Sequence, residues 1–154
     1  MLAHFNHHLI TTLPVPLLPF IREYFSLNYT QAGLVVSAFT LSYGIAQLPG
    51  GWLADRLGPR VMITISLSGL AVIGFLIGIT RSYVALTTLL ILLGFTGGGY
   101  HPSAPPLIAK LVHPSTRGRA IGLHMASGSA SYFLAPLIGA TIAASLGWHN
   151  SFIV

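Results

Sequence analysis

Long apolar stretches separated by very few charged side chains dominate this sequence. Five stretches of about 20 residues or more fit between the charges, and each is long enough to cross a bilayer as a helix. Charged residues make up 6% of the chain, against about a quarter in ordinary soluble domains. Seven basic and two acidic side chains cannot cover the surface of a 154-residue soluble protein, so lipid must be the solvent. The sequence therefore predicts an all-α membrane protein.

The charges, prolines and capping residues set the limits of the predicted spans. Arg22 and Glu23 end the first span. Thr30 is the expected N-cap of the second, and Pro59 suits the first turn of the third. The spans are predicted over residues 2–21, 30–53, 59–80, 82–112 and 119–146, with a sixth beginning at about 151. The chain, residues 1–154, is therefore expected to form one bundle of five complete transmembrane helices and the start of a sixth.

Basic residues are unevenly distributed between the two sets of predicted loops. The loops after spans two and four hold five of them, and the loops after spans one and three hold two: Arg56, Arg60, Lys110, Arg117 and Arg119 against Arg22 and Arg81. By the positive-inside rule the richer set is cytoplasmic, which places the N-terminus in the cytoplasm as well. The first apolar stretch has no basic residue before it and no small-residue cleavage site, so it is predicted to be a retained span.

Several classes of function are disfavoured by composition. Basic residues scattered between apolar runs do not form a nucleic-acid-binding face, although the net charge is +5. The absence of cysteine excludes a disulfide scaffold and a thiolate metal site. The absence of a Walker-type phosphate loop argues against an ATP-driven pump. No cofactor and no nucleic-acid partner are predicted, and the lipid bilayer is the partner that composition indicates.

The segment GGWLADRLGPR, residues 50–60, concentrates charge between two predicted spans. Glycines at its start allow another helix backbone to approach closely, and Gly58 followed by Pro59 turns the chain. Asp55 needs a partner, because an unpaired carboxylate is costly near hydrocarbon. The alternative interpretation is a charged turn that only fixes the topology.

This segment resembles the signature loop of the major facilitator superfamily, G-x-L-A-D-R-x-G-x-R/K. The matching residues are Gly51, Leu53, Ala54, Asp55, Arg56, Gly58 and Arg60. The resemblance implies the N-terminal six-helix bundle of a secondary transporter that works by alternating access. It also implies that Asp55, Arg56 and Arg60 form a cytoplasmic latch with the second half of the carrier. That C-terminal six-helix half is not in this chain and is expected as a partner.

Two further segments are compared with the same superfamily. Residues 128–139 are similar to its fifth-helix motif, frequent among exporters, through Gly128, Pro136 and Gly139, although Ala135 replaces a glycine. The fourth span lacks the arginine that the superfamily pattern would place at Leu90. The segments around His101 and His124 resemble a prokaryotic subgroup related to the fosmidomycin-resistance exporters, which implies the prokaryotic inner (plasma) membrane.

Histidines inside the spans are the candidate residues for the cavity. His8, His101 and His124 lie in spans one, four and five, about 5–20 Å from the cytoplasmic ends at 1.5 Å per residue. In the superfamily those spans and span two line the cavity, and the predicted third span carries no ionisable residue in its apolar part. We predict that these histidines, with Gln47 and Tyr132, contact solute or carry protons. The alternative is neutral histidines that hydrogen-bond to backbone or serine.

A metal site is a separate interpretation of the N-terminal histidines. His4, His7 and His8 lie at i, i+3 and i+4 on one helix face. No carboxylate or further ligand is placed by the sequence to help them, and His4 is expected at the membrane edge. The sequence analysis therefore predicts no metal.

The predicted function is secondary active transport of a small organic solute, coupled to protons and with efflux as one direction. The chain is not expected to be an enzyme, because no G-x-S-x-G nucleophile elbow and no buried acid accompany its serines and histidines. An intramembrane hydrolase is the remote alternative. A third alternative is a truncated chain or half of a split carrier, inactive alone. When the sequence is aligned with itself at an offset of 87 residues, Pro19 matches Pro106 and Pro49 matches Pro136. This pairing is what an inverted three-helix repeat would give, and the sixth helix of such a repeat would end near residue 167.

Overall fold

The computed structural model describes residues 1–153, and these residues form helices and no strands. The α-helices are α1 (Leu2–Thr12), α2 (Leu18–Tyr24), α3 (Tyr29–Leu57), α4 (Pro59–Ile79), α5 (Tyr83–Gly97), α6 (Tyr100–Leu111) and α7 (Arg117–Leu146). Short 3-10 helices cover Pro114–Thr116 and Trp148–Phe152. The all-α fold predicted from the sequence is confirmed.

Four helical segments within the described residues are long and apolar enough to cross a membrane. They cover Tyr29–Leu57, Pro59–Ile79, Tyr83–Leu111 and Pro114–Leu146. Large apolar side chains point outward from them, including Leu48 at 84% and Phe133 at 71% exposure. Exposed apolar surface on this scale is typical of a protein surrounded by lipid, so the chain is an integral membrane protein.

The first predicted span, residues 2–21, is not one continuous helix. Helix α1 ends at Thr12, a turn follows, and α2 begins at Leu18. Pro14 and Pro16 lie in this turn and lack the N–H groups that a continuous helix would need there. Apolar length alone predicts one unbroken first span, because it takes no account of these two prolines.

The second span begins earlier and ends later than predicted. Asn28, and not Thr30, is the N-cap: its side chain accepts from the N–H of Gln31, whose side chain accepts from the N–H of Asn28. At the other end α3 continues through the charged segment to Leu57. Gly58, with φ of 90°, breaks the helix, and Pro59 begins α4 as predicted.

The fourth span is two helices in series. Helix α5 begins after the N-cap Ser82 and ends at Gly97, and α6 begins at Tyr100. The break between the helices lies at the run of glycines at 97–99, where a helix is weakened by the lack of side chains. Prolines at 105 and 106 follow inside α6.

The fifth span begins two residues before its predicted start, at Arg117. After α7 the chain turns at Gly147, with φ of 88°, into the 3-10 helix where the sixth span was predicted to begin. His149 lies in this helix with its Nε2 atom 2.8 Å from the carbonyl oxygen of Thr80, which ties the turn to the end of α4. Burial lowers the pKa of His149. Val154 lies outside the described residues.

The apolar core and the polar interior occupy opposite halves of the bundle. Buried leucines and isoleucines cluster with Trp148, toward the end that carries Arg22 and Arg81. The buried histidines of α1 and α7 lie toward the other end, near Gly58 and the start of α7, whereas buried His149 lies beside Thr80 at the Arg81 end. Most of the buried imidazoles of residues 1–153 are thereby gathered into one half of the bundle.

Candidate functional site: a histidine cluster

Helix α1 supplies three histidines to the interior of the bundle. His4, His7 and His8 are 1%, 0% and 6% exposed. Their i, i+3, i+4 spacing places them on one helix face, which packs against α7. Within the bundle α7 and α6 cover His4, because Gly128 lets α7 approach its ring, and its expected depth at the membrane edge stays a prediction.

Helices α6 and α7 bring two more histidines to these three. The ring of His124 stacks on that of His4, with 3.9 Å between centroids and 5° between planes. The His101 ring centroid lies 5.4, 5.2 and 5.1 Å from those of His4, His7 and His8. We call these five residues the histidine cluster. The predicted residues His8, His101 and His124 are thus brought together.

Tyrosines from three helices line the cluster. Tyr43 of α3 has its hydroxyl oxygen 3.0 Å from Nε2 of His7, within hydrogen-bond distance. Tyr100 is 2% exposed and stacks on His7 at 4.5 Å between centroids. Tyr132 of α7, a predicted site residue, lies 4.6 Å from the ring of His8 and remains 55% exposed. The cluster and the tyrosines around it therefore combine side chains from spans one, two, four and five, the spans expected to line the cavity.

The other predicted cavity residue, Gln47, lies one helical turn beyond Tyr43 on the same face of α3 and is half-buried. Within residues 1–153 its side chain makes no hydrogen bond to the histidine cluster. Tyr100 is one of the contacting residues that were not predicted from the sequence. Its position beside His101, after the glycines at 97–99, was the available signal, because those glycines let α6 approach α3.

Several ring nitrogens of the cluster have no hydrogen-bond partner within residues 1–153. They are Nε2 of His4, Nδ1 of His7, Nδ1 of His8 and Nε2 of His124. A buried polar atom without a partner costs about 1–3 kcal/mol, so such atoms are uncommon in a finished core. These nitrogens are free to accept from or donate to a polar group.

Both acidic residues of the sequence lie away from the cluster. Glu23 is in α2, near the opposite end of the bundle, and Asp55 is exposed near the end of α3. The interior polar groups are therefore imidazoles, phenols and hydroxyls. Such a set can donate to or accept from an anionic or neutral solute, or ligate a metal ion, but it offers no counter-ion to an organic cation.

The charged motif is helical, which corrects its assignment to a loop. Gly51, Asp55 and Arg56 lie in the last two turns of α3, and only Gly58 separates that helix from α4. The guanidinium carbon of Arg56 lies 3.9 Å from the centre of the Trp52 ring. Arg60 is exposed in the first turn of α4. The motif thus presents charges at one end of the bundle, where a partner can reach them.

Glycines allow the helices around the site to approach closely. A Cβ atom built on Gly50 would lie 2.8 Å from Cα of Gly99, which confirms that Gly50 admits another helix backbone. In the fifth-span motif, a Cβ on Gly139 would lie 2.6 Å from Cδ2 of Leu13. Pro136 is half-buried inside α7. These contacts give the fifth-span motif a packing role between α1 and α7.

The family model of the Major Facilitator Superfamily matches residues 1–154. The chain belongs to this superfamily. Its members are transporters and not enzymes. The resemblance carried by residues 51–60 is thereby confirmed, and the hydrolase alternative is rejected. The likeness to the fosmidomycin-related subgroup stays a prediction.

Curated relatives within the superfamily have different names. The chain is 36% identical to "Probable sulfoacetate transporter SauU" of Cupriavidus necator, over 88% of this chain and 32% of that protein. It is 31% identical to "Probable L-galactonate transporter" of Escherichia coli K12, over 86% of this chain and 29% of that protein. It is 32% identical to "Multidrug resistance protein MdtG" of Enterobacter lignolyticus, over 93% of this chain and 35% of that protein. The chain thus spans about a third of the length of these superfamily members.

Proposed function

We propose that this chain is the N-terminal bundle of a secondary transporter that moves a small organic anion by alternating access. Membership of the superfamily and the names of its relatives support the transport role. Because the relatives are about three times longer, the proposal includes a second six-helix bundle that closes the cavity from the other side.

The histidine cluster is the observation that carries the choice of an anion. Its imidazoles other than that of His4, together with the phenols of Tyr43, Tyr100 and Tyr132, can offer hydrogen-bond donors to a carboxylate or sulfonate. A cation would need a carboxylate in the cavity, and the two acids of the sequence lie elsewhere. Sulfoacetate and L-galactonate, named for two relatives, are both organic anions.

Coupling to protons, the inner membrane of a prokaryote and a cytoplasmic N-terminus complete the proposal. A proton that accompanies an organic anion reduces the charge moved across the membrane, so proton symport suits this solute class. The greater number of basic residues at the Gly58 end of the bundle supports a cytoplasmic location for that end.

Solute counterflow in proteoliposomes tests the solute class, since it depends on neither transport direction nor coupling ion. The complete reading frame that contains this chain is purified and reconstituted with a labelled sugar acid such as galactonate. We expect exchange that other small carboxylates or sulfonates inhibit. Gln47→Glu adds a like charge near Tyr43, and we expect KM to rise at least about tenfold, since a like charge about 4–6 Å away is worth more than 1.4 kcal/mol in a partly buried site.

Gln47→Met is the matched control, because it keeps the length of the side chain without charge, and we expect a KM within about threefold of native. Inhibition by cationic dyes without inhibition by organic anions would reverse the proposed solute class. Under an imposed pH gradient, net uptake that a protonophore abolishes would support proton coupling. If the pH gradient had no effect on uptake, proton coupling would be rejected and the proposed solute class would be unaffected.

Efflux of hydrophobic compounds is the second candidate function. The partial fifth-helix motif at Gly128, Pro136 and Gly139 and the similarity to a multidrug resistance protein favour it. The dye competition in the counterflow assay separates the two candidates, since a multidrug exporter would exchange lipophilic cations.

Substitution of Asp55 tests the proposed latch. Asp55 is exposed at the end of α3, so Asp55→Asn removes a charge without disturbing the packing of this bundle. We expect transport to fall at least tenfold, because the charged contacts between the halves would no longer hold one access state. The labelling of cysteines introduced into the cavity should change as well, because the balance between the access states changes. Thermal stability should be unchanged. Glu23→Asn removes an exposed carboxylate at the opposite end and is the control. Native transport and labelling in Asp55→Asn would reject the latch.

A further inference from the structure

Three histidines of the cluster place their ring nitrogens close together. One nitrogen from each of His4, His8 and His101 lies within 4.8 Å of the others. Two of the three come from consecutive turns of α1, and the third comes from α6. His101 is the ligand that the sequence analysis lacked when it predicted no metal, and it takes the place of His7 in the set considered there.

Hydrogen bonding holds His4 in the tautomer that a metal ion requires. Its Nδ1 lies 2.7 Å from the carbonyl oxygen of His124, and only a protonated Nδ1 can make that bond. The lone pair is therefore on Nε2, which is buried and has no partner within residues 1–153. In metal-bound histidines the ring nitrogen that does not bind the metal usually donates a hydrogen bond to a backbone carbonyl, a carboxylate or water, as Nδ1 of His4 does here. Nδ1 of His8 is likewise buried without a partner.

We propose that His4, His8 and His101 bind a divalent metal ion of the zinc class. Imidazole ligands suit Zn²⁺, Cu²⁺, Ni²⁺ and Co²⁺, whereas Mg²⁺ and Ca²⁺ need oxygen ligands, and both acids of the sequence lie elsewhere. Bond lengths of about 2.0–2.1 Å place tetrahedral ligand nitrogens about 3.3 Å apart, so separations of up to 4.8 Å must shorten by up to about 1.5 Å when the rings close on the ion. Half-buried His101 has the freedom to do so.

A packing role explains this arrangement less well than an ion does. Apolar side chains would fill the same space without leaving buried nitrogens unpartnered, at a cost of about 1–3 kcal/mol for each one. An ion would satisfy a nitrogen from each of the three rings at once. It would also join α1 to α6, and so span one to span four, and would leave a fourth coordination position for water or an anionic solute.

Metal binding is measured on the purified, tag-free and metal-stripped full-length protein in detergent, with Zn²⁺ in competition with a chromophoric chelator. We expect one equivalent to bind. We expect His101→Gln to weaken binding at least tenfold and His113→Gln to leave it unchanged, because His113 is exposed in the Pro114 turn. His101→Cys is expected to keep Co²⁺ bound and to add a thiolate-to-cobalt charge-transfer absorption, which a structural role cannot produce.

Native affinity in His101→Gln, an equal loss in His113→Gln, or Co²⁺ binding by His101→Cys without the charge-transfer absorption would each overturn the proposal. Thermal unfolding of each variant shows whether it is folded, and His101 is the least buried of the three ligands. Because this assay measures no transport, the metal site and the proposed solute class can fail independently.

Discussion

Gly94→Ala is expected to lower the free energy of unfolding by about 3 kcal/mol, the upper end of the usual cost of overpacking. Gly94 of α5 lies against α3, and its added Cβ would lie 2.7 Å from both the carbonyl oxygen of Phe39 and the backbone nitrogen of Tyr43. It would also collide with the hydroxyl of Ser42. Because two of these atoms belong to a helix backbone, the helices themselves must separate. Denaturant unfolding in detergent, followed by circular dichroism, measures the loss.

Gly44→Ala is the matched control for this substitution. Gly44 lies in α3, and no atom lies within 4 Å of the Cβ it would gain. Alanine is favoured over glycine inside a helix by about 0.5–1 kcal/mol, so we expect Gly44→Ala to be neutral or slightly stabilising. Equal stabilities for Gly94→Ala and Gly44→Ala would contradict the close approach of α3 and α5.

Gly128→Ala is expected to disrupt the histidine cluster. Its Cβ would lie 2.6 Å from Cε1 and 2.9 Å from Nδ1 of His4, the atom bonded to the carbonyl of His124. The ring must move, because buried His4 cannot accept the methyl group in place. We expect Zn²⁺ affinity to fall at least tenfold and the free energy of unfolding to fall by about 1–3 kcal/mol.

A double-mutant cycle with His4→Ala distinguishes displacement of this ring from a general effect on α7. If the collision with His4 causes the loss of stability, Gly128→Ala should cost much less in the His4→Ala background than in the native one. Gly122→Ala, on the same helix with no atom within 4 Å of the added Cβ, should behave as native in both assays. Additive losses in the cycle would show that His4 is not the residue displaced.

The limits of the later helices could be predicted closely because local chemistry sets them. Gly58 followed by Pro59 ends one helix and begins the next whatever surrounds it. The first span was harder, since its apolar length suggested one helix while Pro14 and Pro16 interrupt it. The extension of α3 to Leu57 was also not predicted, because its charges suggest a loop, although no glycine or proline lies between Leu53 and Gly58.

The sequence by itself determined that this chain lies in lipid as a bundle of helices, that residues 51–60 carry the superfamily motif, and that histidines lie inside the spans. Composition, hydrophobic periodicity and helix-breaking residues are local properties of the chain, so they can be recognised without knowledge of the fold. Only the tertiary structure decided that His4 is buried and that His101, from a helix nearly a hundred residues later, joins His4 and His8. That association depends on how closely helices can approach, which Gly128 and Gly99 permit and which no local pattern expresses.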